Sequence, residues 1–190
     1  MAVTTGKSAP VRSRSVRNTL PWVATAARFV LAGVLIVAGW LKMGAPAISI
    51  RAVEAYEILP HGAAEIVGYV LPILEIVIGA LLIVGLLTRV AAVGAGALML
   101  IFITGIASAW ARGLNIDCGC FGGGGALRPG ETAAYLPEIL RDLGLLALAA
   151  WVVVRPPGRL ALDSALGLAP ASAYATAEDT GDDPNDEEND

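Results

Sequence analysis

Leu20-Pro-Trp-Val-Ala-Thr-Ala-Ala-Arg28-Phe-Val-Leu-Ala-Gly-Val-Leu-Ile-Val-Ala-Gly-Trp-Leu-Lys42-Met43 is nearly continuous apolar sequence. At ~1.5 Å of rise per helical residue, about twenty residues cross the ~30 Å hydrocarbon core of a bilayer. The stretch therefore reads as a membrane span. A signal peptide is the competing reading, because basic residues precede it and Ala45-Pro-Ala47 loosely resembles a cleavage site. The apolar run is longer than the h-region of about 7–15 residues that such peptides carry, and further spans follow it.

Composition extends the same reading to the chain. Hydrophobic residues make up 56% of it and charged residues only 16%. Eight of the seventeen acidic residues fall between Glu178 and Asp190, so the formal net charge of -4 describes a tail. No basic patch with interleaved aromatics appears, and a nucleic-acid partner has no support. Three regions are expected: a basic cytoplasmic tail over 1–19, a membrane domain over 20–155, and an acidic, disordered cytoplasmic tail over 156–190.

Within the membrane domain, Gly44 to Gly62 is amphipathic and too polar to span. It is expected as a short helix at the interface, broken by Pro60 and Gly62. A second span is expected from about Ala64 to Leu87, a tight polar turn at Thr88-Arg89, and a third span from Val90 to about Trp110. A fourth is expected from about Ala134 to Val154, with Pro137 in its first turn, where a missing amide donor costs little. Gly79, Gly85 and the pairs Ala91/Ala95 and Ala92/Gly96 fit close helix approach, and equally fit a chain simply rich in small residues. The fold class is all-α: an integral membrane four-helix bundle in contact with lipid. Lys7, Arg12, Arg14, Arg17, Arg89, Arg155 and Arg159 lie on one side, against Lys42, Arg51, Arg112 and Arg128 on the other. That bias puts both termini in the cytoplasm of a plasma- or inner-membrane protein.

Both cysteines, Cys118 and Cys120, then fall in an extracytoplasmic loop, Asn115-Ile-Asp-Cys-Gly-Cys-Phe-Gly-Gly-Gly-Gly125, where disulfides persist. The leading reading is a dithiol/disulfide redox centre on a mobile glycine loop, with Asp117 opposing thiolate formation and Arg112 or Arg141 favouring it. A copper or zinc site is the second reading; it lacks a third ligand nearby in sequence, and His61 would join only if the outer loops meet. An inert structural bridge is the third, and a two-residue ring gains little entropy.

Charges inside the spans are the other candidates. Glu75 sits ~14 Å below the outer end of the second span by helical rise, and Arg141 lies at similar depth in the fourth beside Asp142, with Glu138 one turn nearer the surface. Ionisable residues at such depth are expensive and usually paired. Glu75 with Arg141 is the first expected pairing and Glu75 with Arg28 the second, either as a structural ion pair or as a proton relay for thiol oxidation.

The order Tyr56-Glu-Ile-Leu-Pro60, Leu71-Pro-Ile-Leu-Glu75, Gly79, Gly85, Arg89, Asp117-Cys-Gly-Cys-Phe-Gly122 and Arg141-Asp142 resembles the methylamine-utilisation MauE family, within the broader DoxX-like group of four-span membrane proteins. The resemblance covers roughly residues 20–155. It implies extracytoplasmic disulfide handling beside a thioredoxin-like partner, serving maturation of the disulfide-rich small subunit of methylamine dehydrogenase. Only Cys118 and Cys120 carry over as redox residues. Turnover of such a pair requires an electron acceptor or donor, and a membrane quinone bound between helices fits that need although no quinone motif is visible. A non-catalytic scaffold for an oxidoreductase and a metal-handling membrane protein are the alternatives.

Overall fold

The computed structural model describes residues 14–121, 123–128 and 130–154, and it is mostly helical. Helix α1 runs from Arg14 to Met43, α2 from Pro46 to Ala55, α3 from His61 to Val84, α4 from Thr88 to Ala111 and α5 from Tyr135 to Val154. Because α1 begins at Arg14, the expected tail boundary at 19 is not a helix boundary. The rest of both expected tails lies outside the described residues.

Among the described residues, three stretches are long and apolar enough to cross a membrane: Trp22–Met43 of α1, His61–Val84 of α3 and Thr88–Ala111 of α4. Their outward faces are apolar, with Trp40 72% exposed and Val90 66%. A protein bathed in water would cover such a surface, so the molecule is embedded in a bilayer and crosses it more than once. Helix α5 carries Glu138, Arg141 and Asp142 in its first half, which separates it from the other three on composition.

The long helices pack as two close pairs, α1 on α3 and α4 on α5, joined by α1–α5 and α3–α4 contacts. Leu31, Ala32 and Leu35 of α1 meet Ile78 and Leu82 of α3, Ala91, Ala95, Leu98 and Met99 of α4, and Leu145, Ala149 and Val152 of α5. The structure separates packing from composition among the small residues. A Cβ on Gly79 would lie 2.6 Å from Ile36 Cγ1 and 3.0 Å from the Ala32 carbonyl, and one on Gly39 only 2.7 Å from the Pro72 carbonyl. Those two glycines let α1 and α3 approach. Gly96 is not crowded, since a Cβ there would meet Leu146 and Ala149 at ordinary contact distance.

The turn between α3 and α4 falls three residues earlier than Thr88-Arg89. Gly85 adopts the left-handed conformation at φ 71°, and its amide and that of Leu86 both donate to the Leu81 carbonyl. Glycine enters that region without a Cβ penalty, so the chain turns there, and Thr88 opens the next helix instead of the loop. Helix α2 supplies the short helix expected between the first two spans. It lies over the start of α3, with Ser49 donating to the Gly68 carbonyl at 3.0 Å and Ile50 against Gly68. The all-α expectation misses one small feature: Ile116–Asp117 (β1) pairs antiparallel with Gly125–Ala126 (β2) across the cysteine loop.

Candidate functional site

Two tyrosines anchor the loop. Tyr135, at the start of α5, donates from its hydroxyl to the Leu114 carbonyl and accepts from the Ile116 amide at 3.2 Å. Tyr56, just past α2, donates to the Cys118 carbonyl at 3.2 Å, while its own carbonyl accepts from the Arg112 guanidinium. Asn115 adds a clamp, donating to the Glu131 carbonyl at 2.9 Å and accepting from the Ala133 amide at 3.2 Å. Tyr135 does not stand out in sequence; Tyr56 does so only as the first residue of Tyr56-Glu-Ile-Leu-Pro60, with nothing there to show that it holds the loop.

The glycines serve contact as well as mobility. Gly119 sits at φ +71°, its amide donating to Asp117 Oδ1 at 3.1 Å. A Cβ on Gly119 would lie 2.6 Å from the Ala52 Cβ of α2, and one on Gly124 2.4 Å from it. The loop is thus pressed onto α2, not held free as its composition suggests. Gly122 lies outside the described residues.

Both thiols are free and buried, Cys118 9% and Cys120 6% exposed. The Cys120 amide donates to Cys118 Sγ at 3.4 Å. Hydrogen bonding from Cys120, from its thiol first and then its amide, holds the Cys118 thiol below the ordinary value. Burial and the Glu138 charge oppose this, and Arg141 assists it. The same bond, followed by burial and the Cys118 charge, pushes Cys120 well above the ordinary thiol range. One thiol of the pair is therefore set to ionise and the other to stay protonated, an asymmetry suited to nucleophile and resolving roles. Burial and the two cysteines raise the Tyr56 phenol, which keeps it a donor.

The membrane-depth charges do not pair as expected. Glu75 Oε1 is bound by Lys42 Nζ at 2.5 Å, with the two residues 1% and 5% exposed. Lys42 lies 5.1 Å over the Phe102 ring. Arg141 instead binds its neighbour Asp142, through Nε and Nη2 to Oδ1 at 3.0 Å each, and stands 4.9 Å over the Phe121 ring. Position along a helix gives depth, whereas pairing also needs the two residues on facing sides. Lys42 counts with the outer flank of the first span in the sequence, yet its side chain turns back into the helices. Arg28 is buried with its guanidinium 5.2 Å over Phe29. His61 is exposed at the start of α3 and binds Glu54, away from the cysteines.

Two small cavities connect these groups. One of about 20 Å³ is lined by Cys120, Phe121, Glu75, Arg141 and Asp142 among apolar neighbours. The other, about 40 Å³, is lined by Cys118, Gly119, Lys42, Ser49 and Tyr56. The Lys42–Glu75 pair therefore stands between the cavities that reach the two thiols. Glu75 and Arg141, paired in expectation, share the wall of the first cavity without sharing an ion pair. A larger apolar cavity of about 400 Å³, between α2, α3 and α4, shares Val53, Tyr56, Leu71 and Phe102 with the Cys118 cavity. Asp117, Cys118 and Glu138 also place one ligand atom each within 4.8 Å of one another, giving a metal the oxygen donors that sequence spacing alone does not reveal.

The family model described as methylamine utilisation protein MauE matches residues 20–155. The chain is similar to a methylamine utilization protein MauE of Paracoccus denitrificans, 34% identical over 158 residues that cover 83% of this chain and 82% of that relative. No solved structure matches it significantly.

Proposed function

The chain belongs to the MauE family, and from that premise we propose that it is a membrane thiol–disulfide redox protein of methylamine utilisation. Cys118 and Cys120 exchange electrons with a thioredoxin-like protein outside the cytoplasm. The observation that carries this reading is the pair itself: two buried free thiols joined by the Cys120 amide, with Cys118 set to ionise first. The Cys118 thiolate attacks a partner disulfide and forms a mixed disulfide. Cys120 then attacks Cys118 Sγ, closes the bridge and releases the partner as its dithiol, and the reverse sequence oxidises the partner. With both sulfurs buried, exchange entails lifting the loop from Ala52.

In this reading α5 is a fourth span, giving the plan of the wider DoxX-like group. Its 20 residues rise ~30 Å, and its outer face is apolar at Leu136, Leu140, Leu143 and Val154. Four crossings put both termini on one side. The basic-residue bias supports the cytoplasm for that side, and the ion pairing of Lys42, which takes it out of the outer count, adds to that support. Turnover needs a two-electron acceptor or donor. A membrane quinone fits the apolar cavity bordered by Tyr56 and Phe102, beside the cavity that reaches Cys118.

Mixed-disulfide trapping tests the reading. A Cys120→Ser variant should accumulate a dithiothreitol-sensitive adduct through Cys118 with a thioredoxin-like protein. If neither single cysteine variant captures a partner and the wild-type thiols stay unreactive, the redox role fails. Full complementation by a double Cys→Ser variant would instead favour a scaffold. The Asp117–Cys118–Glu138 cluster favours metal handling as the second reading, and stoichiometric zinc or copper lost on Glu138→Ala would support it.

A further inference from the structure

The small cavity beneath Cys120 holds more unsatisfied polarity than packing alone accounts for. Asp142 is 2% exposed, and Arg141 occupies only its Oδ1; Oδ2 is buried without a hydrogen-bond partner. Glu75 repeats the pattern, with Lys42 on Oε1 and a buried, unpartnered Oε2. Buried carboxylate oxygens are normally satisfied, so two carboxylates that each keep an unpartnered oxygen and line one cavity call for an explanation. At about 20 Å³ the cavity exceeds the ~10–15 Å³ that one water centre needs, and its carboxylates, guanidinium and thiol supply the polar partners.

We propose that Asp142 is the proton acceptor for Cys120 in the bridge-closing step, reached across this cavity directly or through one water. The inference rests on the dithiol reading above. In the mixed disulfide, the Cys120 S–H bond breaks and its proton goes to Asp142 Oδ2. The freed electron pair forms the Cys120–Cys118 bond, the bond from Cys118 to the partner sulfur breaks, and the partner leaves as a thiolate that solvent protonates. In reverse, protonated Asp142 returns its proton to the Cys120 sulfur.

Charge accounting favours this acceptor. Lys42 with Glu75 and Arg141 with Asp142 form two neutral pairs around the cavity; moving a proton from thiol to carboxylate shifts one negative charge without creating another, that charge leaves with the partner thiolate, and Asp142 then releases its proton to restore its pair with Arg141. A buried thiol that ionised by losing its proton to bulk water would leave a net charge in a low-dielectric site. Arg141 binds Asp142 and lines the cavity with Cys120, so it is placed to hold negative charge on either side. Glu138 is a poorer candidate for this step, because its carboxylate clusters with Cys118 and Asp117. The groups that face Asp142 are Arg141 and, one turn away, Glu138 on its own helix, Glu75 of α3 and Cys120 of the loop, with Lys42 of α1 behind Glu75.

The test uses the full-length reduced protein in detergent and the chromogenic disulfide 5,5′-dithiobis(2-nitrobenzoate). Attack by Cys118 releases one thionitrobenzoate, and closure by Cys120 releases a second, so the two steps are separate phases. Asp142→Asn should slow the second phase at pH 7 by about a hundredfold, the low end of general-base effects, and leave the first within about threefold. In the variant the second phase should then rise about tenfold per pH unit, as hydroxide replaces the lost base. An unchanged second phase, or both phases falling together, overturns the proposal. If the variant does not fold, the wild-type pH profile decides. A plateau near neutrality that falls in acid supports a built-in acceptor, and a second phase first-order in hydroxide throughout overturns it. A wild-type protein that never releases the second thionitrobenzoate would instead refute the dithiol reading on which the inference stands.

Discussion

Replacing Lys42 and Glu75 singly and together gives the sharpest check on the interior. Lys42→Met leaves a 1%-exposed carboxylate with neither oxygen partnered, since Oε2 has no hydrogen bond even now. Breaking a buried pair from one side typically costs about 3–5 kcal/mol, and this geometry belongs in that range. Glu75→Leu leaves an ammonium that is 5% exposed but still 5.1 Å over Phe102. A desolvated cation–π contact returns about 1–2 kcal/mol, which reduces the expected loss to about 1–4 kcal/mol. The double variant removes both charges and should lie within about 1 kcal/mol of wild type, because apolar replacement of a whole buried pair is often neutral. The coupling energy should thus be at least about 3 kcal/mol. Reversible unfolding in mixed detergent micelles can report it through Trp22, Trp40, Trp110 and Trp151, which lie on α1, α4 and α5. Additive single losses would refute the reasoning. So would a larger coupling between Glu75 and Arg141 than between Glu75 and Lys42, because it would restore the pairing read from helix depth.

Three further outcomes follow from the contacts. Gly39→Ala should cost about 1–3 kcal/mol in the same unfolding assay, because its Cβ meets the Pro72 carbonyl at 2.7 Å, whereas Gly33→Ala has open space and should be neutral or stabilising. Gly119→Ala should destabilise the loop through both the Ala52 contact and the φ of +71°, and adding Ala52→Gly should recover only the steric share, as read by hydrogen exchange at the flanking Asp117 and Cys120 amides. Iodoacetamide mapped by mass spectrometry should label Cys118 before Cys120 near neutral pH. A lowered thiol pKa keeps Cys118 as thiolate further into the acid range, and a raised one keeps Cys120 protonated. Cys118→Ala removes the leading cause of the Cys120 shift, so Cys120 should then label faster than in wild type; preferential labelling of wild-type Cys120 would contradict the assignment.

The three apolar spans were legible because lipid imposes length and hydropathy on sequence directly. Helix ends were less so. The polarity of Thr88 and Arg89 suggested a turn, but the backbone turns where Gly85 can adopt positive φ, and Thr88 is buried. The cysteines were legible as chemistry, being the only two in the chain. Their glycine neighbours suggest freedom, yet Gly119 and Gly124 accommodate Ala52, a contact set by α2, a helix far earlier in the chain.

The charged interior shows most clearly where linear reading stops. Depth along a helix set Glu75 and Arg141 at one level, and both line the Cys120 cavity. It could not rank their partners, because azimuth depends on how α1, α3 and α5 pack. Gly39 and Gly79 bring α1 against α3, and that approach places Lys42 on Glu75. The guanidinium of Arg141 binds its neighbour Asp142. The close glycine approach of two helices and the arrangement of ions under the thiols are therefore one structural fact. Widening the α1–α3 contact with Gly39→Ala should weaken the Lys42–Glu75 coupling as well as the fold, and a cycle measured in that background should show a smaller coupling energy. An undiminished coupling there would separate the two.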